Sequence, residues 1–224
     1  MSCVGEGMHV LVGETGDRRH LAALQKLGWG RMFVTKTPQP YTGERWGFDN
    51  GAFRDWLAGR AFDGDRFLRR LERAYRAGTP YLAVAPDVVA GGLGSLEFSI
   101  KWLERLPESW PWFLAVQDGM GLSDVEPVIH LFAGIFMGGT DAFKATAPHW
   151  AALAHRHGKR FHYGRAGTFR KLRRAHDAGA DSVDSALPIW KAERFAQFVR
   201  WFETLSKDGQ LRIWPACAGS PLPG

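Results

Sequence analysis

Residues 160–185 read RFHYGRAGTFRKLRRAHDAGADSVDS. A short strand-like run, Arg160–Gly164, gives way to an amphipathic segment, Thr168–Ala178, and then to a second run, Ser182–Ser185. Two strands joined through a helix pair in parallel. The alternation extends upstream. Strand-like runs recur at Val10–Gly13, Met32–Lys36, Trp46–Asp49, Tyr81–Asp87, Phe113–Asp118 and Gly134–Gly138. Most are continuously apolar, as strands covered on both faces are. Helical segments are read at Asp17–Leu27, Phe62–Ala77, Ser95–Leu106, Asp141–His157 and Lys191–Leu205, with Asp17 as an N-cap. The last sets Phe195, Phe198, Val199, Phe202 and Leu205 on one face. Eight such strands predict a minimal (β/α)8 TIM-like barrel, a single domain over residues 1–224. The stretch after Lys36, TPQPYTGER, is too short and proline-rich for a helix, so one connection is unwound. An open doubly wound sheet is the alternative.

Composition agrees with a folded domain. Apolar residues make up 45% of the chain, enough for a sizeable core. No apolar run approaches the ~18 residues of a membrane span. The opening MSCVGEGMHVLVGETG lacks the basic start and small-residue cleavage site of a signal peptide, so a cytoplasmic location is expected. Two cysteines, Cys3 and Cys217, are too few for a four-cysteine zinc site and read as ordinary thiols. A net charge of +6 suits a polyanionic partner, although a merely basic protein carries the same charge. The tryptophans are read as mostly core, with one or two free to stack on a base.

Aspartates recur at strand ends. Asp49 ends WGFD, Asp87 ends YLAVAPD, Asp118 follows Gln117 in FLAVQDG, and Asp181 and Asp184 flank the last strand. In a parallel barrel the C-terminal strand ends share one mouth. Carboxylates gathered there suit metal binding, acid–base chemistry or attack on a sugar carbon. Each one alone also suits a helix cap or turn. His162 is the histidine read on a strand; His155 and His157 in AHRHGKR read as a solvated helix end. Gly138 and Gly139, and Gly164 and Gly167 around Arg165, precede helices, where backbone N–H groups can approach an anion.

The order of these motifs resembles the tRNA-guanine transglycosylase superfamily of (β/α)8 barrels. FDNGAF is similar to its D-S-G-G-F motif, and APDVVAGG to the strand whose Asp reads the purine. FLAVQDG resembles V-Q-G-G, GIFMGG the following G-G-L, HYGRAGT the M-G-V-G-T turn, and GADSVDSALP the nucleophile motif G-V-D-M-F-D-C-V-x-P. The resemblance spans Trp46 to Pro188. It implies Asp184 as nucleophile and Asp49 as acid/base. Asp87, Gln117, Gly138, Gly139, His162 and Phe53 would bind the base. Arg165, Arg170, Lys171, Arg173 and Arg174 would hold the nucleic-acid backbone, ahead of Arg69, Arg70, Arg73 and Arg76 on an earlier helix. The zinc subdomain of the tRNA enzymes has no counterpart here. The form is closer to the zinc-free DpdA-type 7-deazaguanine DNA-insertion enzymes of phages and bacteria. The implied partners are DNA ahead of tRNA, and a free 7-deazaguanine such as preQ0; no cofactor or metal is implied. The implied activity is a pentosyl transfer exchanging guanine for the 7-deazaguanine through a covalent Asp184 intermediate. Alternatives are a purine glycosylase or nucleoside hydrolase, a tRNA-directed transglycosylase, a metal-dependent barrel using Asp49, Asp87 and His162, and a non-catalytic nucleic-acid-binding barrel.

Overall fold

The computed structural model describes residues 8–207; Cys3 and Cys217 lie outside that range. The chain runs β1 (His9–Gly13), α1 (Arg18–Leu27), β2 (Gly30–Phe33), β3 (Gly47–Phe48), α2 (Ala52–Leu57), α3 (Gly64–Tyr75), β4 (Leu82–Val84) and α4 (Leu93–Leu103). It continues through β5 (Trp112–Val116), α5 (Leu122–Val125), β6 (Gly134–Met137), α6 (Ala147–Arg156), β7 (Arg160–Tyr163), α7 (Phe169–Asp177), β8 (Ser182–Ser185) and α8 (Ala192–Lys207). Single 3-10 turns lie at Glu126–Leu131, Phe143–Thr146 and Leu187–Ile189. Each strand pairs in parallel with the next, and β8 returns to β1 with His9 opposite Ser182 and Val12 opposite Ser185. The sheet is a closed (β/α)8 barrel, which rules out the open sheet. Among the described residues no helix is long and apolar enough to cross a membrane.

Side-chain alternation builds two cores. Leu11, Met32, Leu82, Val84, Phe113 and Ala115 fill the barrel interior. Val10, Val12, Phe33, Phe48 and Tyr163 point outward into the layer under the helices. Interior space is tight: a Cβ on Gly134 would lie 2.3 Å from the Phe113 ring. Glycine at that position lets the phenylalanine fill the centre. Among the described residues six tryptophans are buried, whereas Trp56 and Trp190 are exposed.

Caps set the helix starts. The Asp17 carboxylate accepts from the N–H groups of Arg19 and His20, and Gly28 ends α1 in the left-handed region at φ 65°. Asp63 caps α3 by accepting from Arg66 N, and Thr168 caps α7 by accepting from Lys171 N. The single helix expected at Asp141–His157 is divided into the 3-10 turn Phe143–Thr146 and α6, where Pro148 occupies the first turn.

The β2–β3 connection carries no helix. A buried ion pair organises it instead: Arg31 Nε and Nη2 donate to both oxygens of Glu44, at 2.8 and 2.7 Å. Arg31 also donates to the carbonyls of Thr15 and Gln39. The Tyr41 hydroxyl donates to Trp29 O. Hydrogen-bonded charge thus replaces the missing helix as the cover of this barrel segment.

Candidate active site

The strands end earlier than their apolar runs. β3 stops at Phe48 and β4 at Val84, so the following residues leave the ladder and turn into the mouth. Asp49 N still donates to Phe33 O at 2.9 Å. The Asp49 carboxylate accepts from Gly51 N at 2.6 Å, a turn that needs glycine because Gly51 sits at φ 84°. Asn50 Nδ2 donates to Asp87 Oδ1 and to Ala85 O, both at 2.7 Å. One β3 segment therefore carries Asp49 and grips Asp87 on the neighbouring strand end.

Burial dominates both acids. Asp49 keeps some solvent contact, yet its enclosure pushes its carboxyl up to about 6; the Gly51 N–H opposes this rise and the Asp184 charge adds to it. Asp87 is pushed up to about 7 by burial, against the Asn50 hydrogen bond and with help from the Asp49 charge. Glu14 stands nearby with the opposite outcome. Burial would raise it, but donation from the Thr35 hydroxyl and from the N–H groups of Lys36, Thr35 and Val34 holds it below the usual range.

Asp184 on β8 reaches the mouth from the other side. Its Oδ1 is 3.0 Å from His162 Nε2 and accepts from Arg165 N at 3.1 Å. His162 Nδ1 lies 2.8 Å from Ser182 Oγ, and the ring stacks on Phe136 at 4.7 Å between centroids. Ser182, His162 and Asp184 form one hydrogen-bonded line, but Ser182 and His162 are fully buried. This line fixes Asp184 rather than presenting a serine. Arg165, left-handed at φ 57°, extends over the Phe53 ring at 4.2 Å and donates to Gly139 O at 2.7 Å. A cation–π contact thus joins the loop after β7 to helix α2 after β3 across the mouth.

Other residues read from the sequence have local partners. Gln117 accepts from Ala90 N at 2.6 Å and donates to Val88 O at 2.8 Å, holding the β4–α4 loop. Asp118 accepts from the N–H and hydroxyl of Thr140. Gly138 N donates to Val116 O, and Gly139 is left-handed beside Asp118 and Phe143. Asp181 lies at the opposite barrel end, within 3.0 Å of His155. His9 also stands on a strand, in contact with Arg45 O at 2.9 Å. Of the basic set, Arg170 and Lys171 pair with the Asp141 carboxylate, Arg174 donates to Asp141 O, and Arg173 lies 3.6 Å from Asp177. Arg70, set aside by sequence as farther from the mouth, donates to the carbonyls of Asp49 and Asn50. Lys144 had no reading in the sequence. It is buried, donates to Gly164 O, lies 4.9 Å from the Tyr163 ring centroid, and is pushed down to about 7 by burial. Among the described residues no three His, Cys, Asp or Glu side chains gather to hold a metal ion.

Fold and mouth define a (β/α)8 barrel with carboxylates at the C-terminal strand ends. No family model matches the chain, and no curated protein matches it. Solved structures do. One described as "Native KDPGal structure" superposes with a TM-score of 0.52 at 13% identity, over 89% of this chain and 95% of its own. A 4-hydroxy-2-oxoglutarate aldolase/2-deydro-3-deoxyphosphogluconate aldolase superposes with a TM-score of 0.53 at 14% identity, over 88% and 92%. A designed cube-shaped, porous protein cage built by fusing symmetric oligomeric domains gives 0.53 at 14%, over 91% and 74%. At this identity the likeness is one of fold.

These neighbours overturn the transglycosylase resemblance. The solved structures that superpose, one of them named an aldolase, stand where that superfamily was expected, and the guanine-exchange, glycosyltransferase, glycosylase, 7-deazaguanine and DNA-modification expectations fall with it. The physical reason lies in the motifs. Gly51 and Gly139 serve left-handed turns, Gln117 ties a loop, and Asp118 caps Thr140. Short Asp- and Gly-containing strand ends meet the needs of a minimal barrel and imitate a family signature.

Proposed function

We propose that this chain is an acid–base enzyme that moves a proton next to the carbonyl of a small polar substrate. The observation that carries the reading is the Asp49–Asn50–Asp87 unit, whose two carboxyls are pushed up to about 6 and about 7. Proton transfer is fastest with groups poised near the working pH. Asp49, the lower of the two, serves as base and takes the proton from the carbon beside the carbonyl. Asp87 in its protonated form donates to the carbonyl oxygen as negative charge gathers there. Asn50 keeps the two at a fixed spacing, and the His162–Asp184 line supplies a further oriented carboxylate. Aldol-type cleavage belongs to the same chemistry, and the aldolase name of one structural neighbour lends it support.

Proton exchange at carbon tests this. In deuterated buffer, a panel of small oxo acids followed by NMR is expected to show enzyme-dependent deuterium uptake beside the carbonyl. Uptake should fall by about 10²-fold or more in Asp49→Asn. No uptake with any member of the panel would remove the reading. Imine chemistry would need an amine in the mouth instead. None of the eight strands carries a lysine, and Lys144 faces Gly164 and Tyr163. Borohydride with an oxo acid is expected to leave Lys144 unmodified; a covalent adduct there would replace acid–base catalysis by imine catalysis.

A further inference from the structure

Beside the mouth, between the β2–β3 connection and helices α2 and α3, lies a cavity of about 160 Å³. Arg54 from α2 and Arg66, Arg70 and Arg73 from α3 line it, the last three spaced to share one helix face. The acids present are already committed. Asp55 pairs with Arg60 and Arg66, and Asp63 caps α3. Arg54, Arg70 and Arg73 have no carboxylate within salt-bridge distance among the described residues. Arg70 is the telling member. It lies over the Phe48 ring at 4.7 Å, and its Nε is buried with no hydrogen-bond partner. A guanidinium so enclosed is costly unless an anion meets it.

We propose that this cavity binds a phosphate group, free or carried on a small phosphorylated molecule. Guanidinium groups match the oxygens of a tetrahedral oxyanion, and three of them without a carboxylate partner on one small cavity exceed what one carboxylate engages. The volume admits a group of that size. Asn50 and Gly51 form part of the wall, and a Cβ on Gly51 would stand 3.2 Å from Arg70 Nη1. The site therefore adjoins the acid–base unit. Arg70 links the two, since it donates to the carbonyls of Asp49 and Asn50.

The proposal stands apart from the acid–base reading, because its test measures binding alone. Titration of the protein with inorganic phosphate, by calorimetry at fixed ionic strength set with chloride, is expected to show one site. The exposed pair Arg54→Ala/Arg73→Ala should weaken it about tenfold or more while the fold persists by circular dichroism. Arg170→Ala, whose side chain is paired with Asp141, should bind as wild type does. A sugar phosphate that binds more tightly than inorganic phosphate would identify a phosphorylated small molecule as the source; equal binding would identify the free anion. Absence of phosphate binding by wild type would overturn the proposal. So would an equal loss in Arg170→Ala, or binding only of a DNA oligonucleotide with neither small phosphate bound.

Discussion

Burial disfavours the charged forms of Asp49, Asp87 and Lys144, and the signs give separate pH windows. For the two acids the folded value lies above the unfolded one, near 3.8. Below about pH 4 both states are protonated and nothing is lost. As pH rises to about 7 the unfolded chain releases its protons first, so stability falls and stays lowered. Asp49→Asn and Asp87→Asn keep an acceptor for Gly51 N and Asn50 Nδ2. Each is expected to gain about 1–3 kcal/mol by urea unfolding at pH 8 and almost nothing at about pH 3, while losing activity. No pH-dependent gain would contradict their burial. Lys144 runs the other way. Its folded value, about 7, lies below the unfolded 10.5, so its cost is full below pH 7 and fades as pH rises toward 10. Lys144→Met should therefore show a shallower rise in stability between pH 7 and 10 than wild type. Asp49 and Asp87 were legible because both close apolar runs. Lys144 was not: it falls within Asp141–His157, read as one continuous helix, and only the 3-10 turn at Phe143–Thr146 sinks its amine onto Tyr163.

Among the elements, all eight strands were legible, because burial on both faces writes most of them as apolar runs and the βα alternation places β7 and β8. Their ends were not. Tyr81–Asp87 shrinks to Leu82–Val84, since the apolar signal continues through residues that leave the ladder for the mouth. Helix α2 escaped because six residues behind a glycine N-cap offer neither a capping side chain nor two full turns of pattern. The arginine sets show the same limit. Asp141 draws in Arg170, Lys171 and Arg174 from about thirty residues away, a neutralisation no local pattern records. The helix-free β2–β3 connection yields a direct test. Glu44→Ala leaves Arg31 charged and buried, and is expected to cost about 3–5 kcal/mol in urea unfolding. Arg31→Met/Glu44→Leu removes both charges and should recover most of that loss. A double variant no better than the single would mean that the hydrogen bonds to Thr15 and Gln39, not the ion pair, carry the connection.

Closure decides the behaviour of the whole molecule. β8 pairs with β1, and α8 packs back onto the first βα unit: Trp29 meets Phe198 and Phe202 at 5.8 and 5.4 Å, and Phe195 stacks on His20. The apolar stripe of the last helix was visible in the sequence; its partner, Trp29, was not, because closure brings together residues from the two ends of the described chain. A barrel whose sheet is closed and whose β8–β1 seam is covered by α8 has no free sheet edge at which unfolding can begin. Phe198 is fully buried, so Phe198→Ala removes a large side chain from that seam and is expected to cost about 3–5 kcal/mol. If closure couples the ends, this loss lowers one shared transition. Far-UV circular dichroism and tryptophan fluorescence should then move together, although most of the helix content lies outside α8. An early, separate melting of helical signal, with the buried tryptophans still shielded, would show that α8 is an independent cover and that sheet pairing alone closes the barrel.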